Sequence, residues 1–427
     1  MRALQMLFLL ITALLSLAAP PARAQSWSAT WGAAPAGPPP AARLLTFTDQ
    51  TLRLVVHTSH GGNRVRVRLS NEMGSAPLVI GAAHIGLRAS GGVVAAGSDR
   101  TLRFNGARTV TIPAGARVVS DPVALTAPAL ADLAVSLFLP GASAAATLHP
   151  NAFQTGYVSL PGDFTGSPSM PVKGTIGAWP FLTGVEVDVA APVLVAFGDS
   201  ITDGLKSTSN ANRRWPDYLA RRLQGLGAAA GRAGVVNRGI SANQLLRTEP
   251  GALLAGRAGL ERYERDVLAT PGVRAVIVLI GINDISYYSA SQASLADGYR
   301  QLIARGRARG IKVYGATLLP FEGSPYYTST REAIRQSVNR WLRTGAAFDG
   351  VVDFDAAMRD PARPTRLLPA IDSGDHLHPN DLGYQRMANV VPLGWITASS
   401  DAPPAAAGAE PAASWHAEEA ALADGLP

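Results

Sequence analysis

Cysteine is absent from this sequence of 427 residues, and its absence excludes several kinds of site. The chain has no disulfides, no catalytic thiol and no cysteine-ligated zinc. It does not need disulfides to fold, because a chain of this length with 47% apolar residues can bury large cores. The length itself predicts two or three domains.

Lysine is scarce as well and occurs only at Lys173, Lys206 and Lys312. The formal net charge of +7 therefore comes mainly from arginine, which is scattered through the chain without forming basic runs. We interpret the arginine excess as a compositional bias and expect no nucleic-acid partner. A weak attraction of the protein to anionic polymers at a cell surface is an alternative that the charge allows.

Long apolar runs are missing except at the amino terminus. Ala3–Ala19 is mostly apolar and precedes Ala22-Arg23-Ala24, which has the small-x-small form of a cleavage site. These features predict a signal peptide over residues 1–24 and a secreted or periplasmic protein. A membrane anchor is the alternative, but the span is short and polar residues interrupt it. We expect no membrane span in the mature chain.

Residues 25–188 have the pattern of an all-β domain. Asn63–Leu69 alternates apolar residues with arginine, as a half-buried antiparallel strand does. Further short apolar runs, separated by glycine and proline turns, are Leu78–Leu87, Thr109–Ile112, Ala116–Val119 and Leu133–Leu139. Strands at this spacing, without a long helical pattern, predict a β-sandwich that is jelly-roll-like.

Residues 189–398 alternate apolar strands with helical patterns. The predicted strands are Val193–Phe197, Val235–Asn237, Ala275–Ile280, Lys312–Leu318 and Val351–Phe354. Pro216 suits the first turn of a helix, and Ser329 with Glu332 fits a capping box. Repeated β-then-α units predict an α/β domain with a doubly wound parallel sheet. Residues 399–427 hold acidic but no basic side chains among many Ala, Pro and Gly, which predicts a disordered acidic tail.

Polar segments follow the predicted strands of this α/β domain. Ser200 follows the first strand, Gly239 the second and Asn283 the third, and His378 lies in the loop after the last. Each alone is more often a turn residue than a catalytic one. All four lie at the carboxyl edge of the sheet, where open α/β sheets bind ligands, and together they favour an active site.

The residue types fit nucleophilic catalysis by serine. A serine hydroxyl needs a base, and we expect His378 to be that base, with Asp375 to orient it. His376 is the rival base, but it lies one residue from Asp375 and is interpreted as a solvent-facing or structural residue. The backbone N–H groups of Ser200 and Gly239 and the side-chain amide of Asn283 are the predicted oxyanion donors.

With these residues the chain resembles the SGNH hydrolases, the GDSL esterase/lipase superfamily. The four sequence blocks of that superfamily occur in order as G-D-S-I-T at 198–202, N-R-G-I-S at 237–241, G-I-N-D at 281–284 and D-H-L-H-P-N at 375–380. The resemblance implies catalytic roles for Ser200, Gly239, Asn283 and His378, with Asp375 as the acidic partner. It also implies ester hydrolysis through an acyl-enzyme, without a cofactor or a metal. Ile201 stands where the superfamily consensus has leucine.

A narrower resemblance covers residues 27–395. W-S-A-T-W-G-A-A-P at 27–35, R-W-P-D at 214–217 and G-D-H-L-H-P-N-D at 374–381 resemble a secreted branch related to acetyl-xylan esterases, which carries an amino-terminal β-sandwich. This resemblance implies hydrolysis of short acyl esters, acetyl above all, on a small-molecule or polysaccharide ester substrate. A secreted lipase or lysophospholipase and a sugar O-acyltransferase are alternatives on the same fold. A glycan-binding surface protein is the alternative that is not an enzyme.

Other chemistries have less support in the sequence. No serine is framed as G-x-S-x-G, so an α/β-hydrolase nucleophile is absent. No phosphate-binding loop or dinucleotide fingerprint occurs. The carboxylates of Asp199, Asp203 and Asp284 could suggest a metal site. Their positions in the sequence fit turn and capping roles better.

Overall fold

The computed structural model of the protein describes residues 26–227, 232–345 and 348–397. The predicted signal peptide and acidic tail lie outside these described residues. Within them, no helix is both long enough and apolar enough to cross a bilayer.

The amino-terminal part of the described chain consists of strands. They are β1 (Ser28–Gly32), β2 (Thr46–His57), β3 (Gly62–Ser70), β4 (Leu78–Ile80), β5 (Ala82–Ser90), β6 (Val93–Val94), β7 (Arg100–Thr101), β8 (Val110–Ile112), β9 (Arg117–Val119), β10 (Val123–Ala127), β11 (Asp132–Ala144), β12 (Leu148–His149), β13 (Gly156–Pro161), β14 (Val172–Ile176), β15 (Trp179–Pro180) and β16 (Leu182–Val187). A single 3₁₀ turn covers Ala41–Arg43.

Most of these strands form two antiparallel sheets. One has the order β1-β16-β3-β10, with β9 also paired to β3, and the other has the order β14-β13-β2-β11-β5-β6, with β7 paired to β5. Inward-facing residues of both sheets, such as Val67 of β3 and Leu54 of β2, belong to one buried apolar cluster. The strand-rich part is therefore consistent with the predicted sandwich, and its jelly-roll connectivity stays a prediction.

One predicted strand in this part is wrong. The apolar run Leu78–Leu87 is two strands, because β4 pairs with β8 whereas β5 pairs with β11. Gly81 separates them, and a Cβ there would lie 2.8 Å from the ring of Phe138. A side chain at this corner would collide with Phe138 unless that ring moved, which favours glycine at the break.

The carboxyl-terminal part alternates strands and helices. Its elements are β17 (Val193–Gly198), α1 (Ser200–Asp203), α2 (Trp215–Gln224), β18 (Gly234–Gly239), α3 (Gly259–Tyr263), β19 (Val273–Leu279), α4 (Ile282–Tyr288), α5 (Gln292–Ala308), β20 (Lys312–Ala316), α6 (Ser329–Thr344), β21 (Gly350–Val352), α7 (Phe354–Met358), β22 (Arg359–Asp360), β23 (Arg363–Leu367), α8 (Asp381–Val390) and α9 (Gly394–Thr397). A π-helical turn at Glu264–Leu268 extends α3, and 3₁₀ turns cover Leu253–Ala255 and Pro369–Ile371.

Five of these strands form a parallel sheet with the order β18-β17-β19-β20-β21. The apolar runs in the sequence predicted these five strands to within a few residues of their observed ends. After β17 the chain moves outward to β18 and then crosses back to β19 on the other side. The carboxyl end of β17 is therefore the switch point of the sheet, where α/β folds have their ligand crevice.

The predicted capping box at Ser329 and Glu332 is wrong. The N-cap of α6 is Thr328, whose side chain accepts a hydrogen bond from the Arg331 backbone N–H. Glu332 instead accepts from Arg335 at 2.6 Å, and both side chains are buried. An arginine three residues along the helix offers this carboxylate a stronger, charge-assisted partner than a backbone amide does.

Candidate active site

Ser200 lies at the switch point of the parallel sheet, at the first position of α1. The turn before it is tight, because a Cβ on Gly198 would lie 2.2 Å from Thr202 Oγ1 and 2.5 Å from the Leu279 carbonyl oxygen. Asp199 caps α1 by accepting a hydrogen bond from the Ile201 N–H at 3.1 Å. The Ser200 hydroxyl is thus held on a rigid strand-to-helix turn and is 5% exposed as a residue.

Three side chains form a continuous hydrogen-bonded line at this position. Ser200 Oγ lies 2.8 Å from His378 Nε2, and His378 Nδ1 lies 2.8 Å from Asp375 Oδ2. The other oxygen of Asp375 accepts from the His378 backbone N–H at 2.8 Å. The structure therefore brings together the three residues that the sequence predicts as nucleophile, base and orienting acid.

The Asp375 carboxylate is stabilised in its charged form. Burial opposes ionisation, but the hydrogen bonds and the charge of His378 outweigh it and hold the pKa of Asp375 well below its usual range. Lys206 Nζ lies 3.9 Å away on the solvent side. Asp375 therefore offers His378 a permanent negative charge.

The histidine that is hydrogen-bonded to Ser200 is His378 and not His376. His376 Nδ1 is 2.6 Å from Asp372 Oδ2, and the His376 side chain is 44% exposed. This placement matches the expectation of a solvent-facing or structural residue.

The predicted oxyanion donors have different local environments. Asn283, at the second position of α4, uses one amide hydrogen on the Asn243 carbonyl oxygen at 2.9 Å. A primary amide carries two hydrogens, so a second one is left to donate. The Gly239 N–H donates to Asn237 Oδ1 at 2.8 Å. Any acceptor that binds Gly239 therefore has to share that hydrogen with Asn237.

Gly239 is required for packing as well. A Cβ at this position would lie 2.2 Å from the backbone nitrogen of Asp203. The strand end that carries Gly239 is thus pressed directly against α1. This contact fixes the spacing between Gly239 and Ser200.

Asp203 has a role that sequence reasoning missed when it assigned the residue to a turn. Its Oδ1 lies 2.9 Å from His149 Nε2, and its Oδ2 accepts from the N–H and the hydroxyl of Ser241. His149 belongs to the strand-rich part, so no local pattern near Asp203 could have identified it. The pair joins that part of the chain to the helix that starts with Ser200.

Asp199 and Asp284 lie buried beneath the site. Burial raises the pKa of Asp199 to about 7 and that of Asp284 to about 6. Asp284 accepts from the backbone N–H groups of Leu245 and Leu246 at 2.8 and 2.9 Å. These contacts support capping and loop-anchoring roles rather than metal binding.

Comparison with known proteins identifies the carboxyl-terminal part. Residues 196–386 match the model of the GDSL-like lipase/acylhydrolase family. No curated protein matches the chain.

Several solved structures resemble this part of the chain. The aryl esterase of M. smegmatis is 18% identical and covers 47% of this chain and 95% of its own, with a TM-score of 0.37. A carbohydrate acetylesterase of Sinorhizobium meliloti is 17% identical and covers 46% and 94%, with a TM-score of 0.35. A GDSL-like lipase of Bacteroides thetaiotaomicron is 19% identical and covers 47% and 85%, with a TM-score of 0.33. At these values the likeness carries no information about substrate.

The matched segment begins in β17 and ends in α8, and it contains Ser200, Gly239, Asn283, Asp375 and His378. Residues 196–386 are therefore a domain of the GDSL-like lipase/acylhydrolase family, and with this domain the chain is an ester hydrolase.

Proposed function

We propose that the protein is an exported serine esterase that removes short acyl groups, acetyl above all, from carbohydrates. The observation that carries the mechanism is the line from Ser200 Oγ to His378 Nε2 and from His378 Nδ1 to Asp375 Oδ2, at 2.8 Å each. Export is proposed on the signal-peptide pattern of residues 1–24.

Acylation begins when Ser200 Oγ attacks the ester carbonyl carbon and its proton passes to His378 Nε2. A new Oγ–C bond forms, and the carbonyl oxygen becomes negatively charged. The carbon–oxygen bond to the alcohol then breaks, and the alcohol leaves with the proton from His378. The Asp375 carboxylate stabilises the imidazolium and keeps the Nδ1 proton directed towards itself.

Deacylation repeats these steps with water as the nucleophile. His378 takes a proton from water, the hydroxide attacks the acyl carbon, and the bond to Ser200 Oγ breaks. The acid is released and Ser200 regains its proton. No further reactant is needed.

The oxyanion is held by the N–H of Ser200, the second amide hydrogen of Asn283 and the N–H of Gly239. Asn283 is the best supported of the three, because its amide is fixed by the Asn243 carbonyl and still has a hydrogen to give. Gly239 contributes by sharing the hydrogen that it donates to Asn237.

Two exposed polar side chains form the rim beside Asp375, Lys206 at 3.9 Å and His376 as the next residue in the sequence, and they favour a short acyl group and a polar alcohol. Lys206 and His376 are both polar and nearly half exposed, at 48% and 44% of their side chains. A long acyl chain needs an extensive apolar lining, which polar rim residues of this kind do not provide.

A comparison of acyl lengths tests this proposal. We expect kcat/KM to be highest for acetyl esters, lower for butyryl esters and lowest for decanoyl esters of the same alcohol. An optimum at decanoyl would contradict the short-acyl proposal and favour a lipase or lysophospholipase. Product analysis with an added alcohol acceptor distinguishes hydrolysis from acyl transfer.

A further inference from the structure

Three tyrosines form an exposed aromatic cluster beside the site. Tyr287, Tyr288 and Tyr326, called the tyrosine cluster below, are 40%, 38% and 36% exposed. The ring of Tyr287 makes edge-to-face contacts with Tyr288 at 6.4 Å and with Tyr326 at 5.6 Å between centroids. In the part of the chain that the structure describes, no other phenylalanine, tryptophan or tyrosine is as exposed. Exposed apolar groups that gather in one place mark binding sites more often than scattered ones do.

The cluster is linked to the oxyanion donor through α4. Tyr287 lies four residues after Asn283 on this helix, so the two side chains share one helix face. Asn283 is a predicted oxyanion donor, so the cluster shares a helix face with one group of the candidate site.

A small apolar core fixes the cluster relative to the histidine loop. Ile282, Phe321 and Leu377 are buried against one another. Ile282 precedes Asn283, Phe321 belongs to the loop that carries Tyr326, and Leu377 precedes His378. The three segments that bear Asn283, Tyr326 and His378 therefore pack against one another through this core.

Polar groups border the rings. The hydroxyl of Tyr288 donates to the Glu249 carboxylate, and the Arg247 guanidinium lies 4.8 Å from the centroid of the Tyr288 ring. An aromatic surface with a guanidinium over one ring and a carboxylate beside it suits a pyranose ring, whose C–H face is apolar and whose hydroxyls are at its rim. Rings so open to water do not enclose an acyl chain.

We infer that the tyrosine cluster is a subsite for a pyranose ring in the alcohol part of a carbohydrate ester. The inference rests on the proposed function, because it names what holds the alcohol while Ser200 attacks the acyl carbon. The ring stacks on the tyrosines, and Arg247 and Glu249 bind its hydroxyls.

The test compares a sugar ester with a small ester that has no ring. The ratio of kcat/KM for acetylated xylotetraose to kcat/KM for ethyl acetate is measured in three proteins. They are the wild type, a variant that carries both Tyr288→Ala and Tyr326→Ala, and a variant that carries both Tyr288→Phe and Tyr326→Phe. We expect the alanine variant to lower this ratio about tenfold, mainly through KM, because it removes two of the aromatic surfaces that the sugar ring contacts. The phenylalanine variant keeps the rings and should keep most of the ratio.

Leu226→Ala removes another exposed apolar side chain, which is 45% exposed two residues after α2, and it should leave the ratio unchanged. An unchanged ratio in the alanine variant would overturn the subsite. A wild-type protein that hydrolyses ethyl acetate but not acetylated xylotetraose would overturn it too. Both results leave the serine esterase itself intact.

A binding measurement keeps the two proposals separate. Titration calorimetry with xylotetraose uses the Ser200→Ala protein, with and without Tyr288→Ala and Tyr326→Ala. The subsite predicts binding that weakens about tenfold when the two rings are removed. Equal affinities or no binding would overturn the subsite, whereas failure of wild type to hydrolyse any ester would overturn the proposed function.

Discussion

His149 Nε2 lies 2.9 Å from Asp203 Oδ1, and both side chains are buried. The second ring nitrogen of His149 is 2.9 Å from the Ala34 carbonyl oxygen, so the imidazole is held at both ends. Asp203 closes α1, which begins with Ser200, and its other oxygen binds Ser241, two residues after Gly239. One carboxylate therefore connects the strand-rich part, the proposed nucleophile and the proposed oxyanion loop.

Replacement of His149 by alanine should affect both stability and rate. It leaves a buried Asp203 oxygen without its partner, which we expect to lower the free energy of unfolding by about 1–3 kcal/mol. We also expect kcat to fall about 10–100-fold, because a small displacement of the nucleophile is costly. Denaturant titration and initial rates measure the two effects.

His84→Ala is the matched control. His84 pairs with Asp99 at 2.7 Å within the strand-rich part, where both side chains are partly exposed. We expect a smaller loss of stability and no change in kcat. If His149→Ala behaves like this control, Asp203 does not position Ser200.

Asp375→Asn tests the orienting carboxylate. An amide cannot stabilise the imidazolium as a carboxylate does, and it favours the wrong tautomer of His378, so kcat should fall about 10⁴-fold. Because the pKa of Asp375 lies well below its usual range, the carboxylate stays charged from neutral pH into mild acid. Any loss of rate in mild acid must then come from another group. Asp372→Asn, which alters the partner of His376, should cost far less.

Asn283→Ala tests the oxyanion hole. The amide binds charge that develops only after attack, so kcat should fall about 10²–10³-fold with little change in KM. Steady-state kinetics on an acetyl ester separate the two parameters. A rise in KM at constant kcat would instead make Asn283 a residue that binds the ground state.

Asp199 gives a prediction about stability and pH. Burial raises its pKa from 3.8 to about 7, so between these values the folded protein holds a proton that the unfolded chain has released. The folded state binds more protons, and this contribution to stability therefore decreases as the pH rises. Relative to Asp199→Asn, wild type should lose on the order of 2 kcal/mol between about pH 5 and pH 8. A relative gain with rising pH would show that the charged form is stabilised.

The parallel sheet was predictable because its strands are buried on both faces and are therefore continuous apolar runs. Val193–Phe197 predicted β17 to within one residue. Antiparallel corners were harder, since Leu78–Leu87 is one apolar run in sequence but two strands in space. The break is set by the different pairing partners of the two strands, which are distant in the sequence.

The candidate site was predictable where its residues follow strands, because parallel strands end at one edge. His149 could not be predicted, since it reaches Asp203 across 54 residues from a different part of the chain. The hydrogen bond from Gly239 to Asn237 could not be predicted from the sequence either, because it depends on the rotamer of the Asn237 side chain. The tyrosine cluster needs the loop after β20 to fold onto α4, and no local pattern encodes that contact.

The most direct test of Ser200 as the nucleophile is the activity and labelling of Ser200→Ala, with Ser207→Ala as a serine control. Hydrolysis of p-nitrophenyl acetate and adduct formation with a fluorophosphonate, located by mass spectrometry, are measured on both variants. We expect Ser200→Ala to remain folded, to lose about 10⁶-fold in kcat and to form no adduct, whereas Ser207→Ala retains both activities. Substantial turnover by Ser200→Ala, or an adduct on another serine in wild type, would contradict the assignment of Ser200 as the nucleophile.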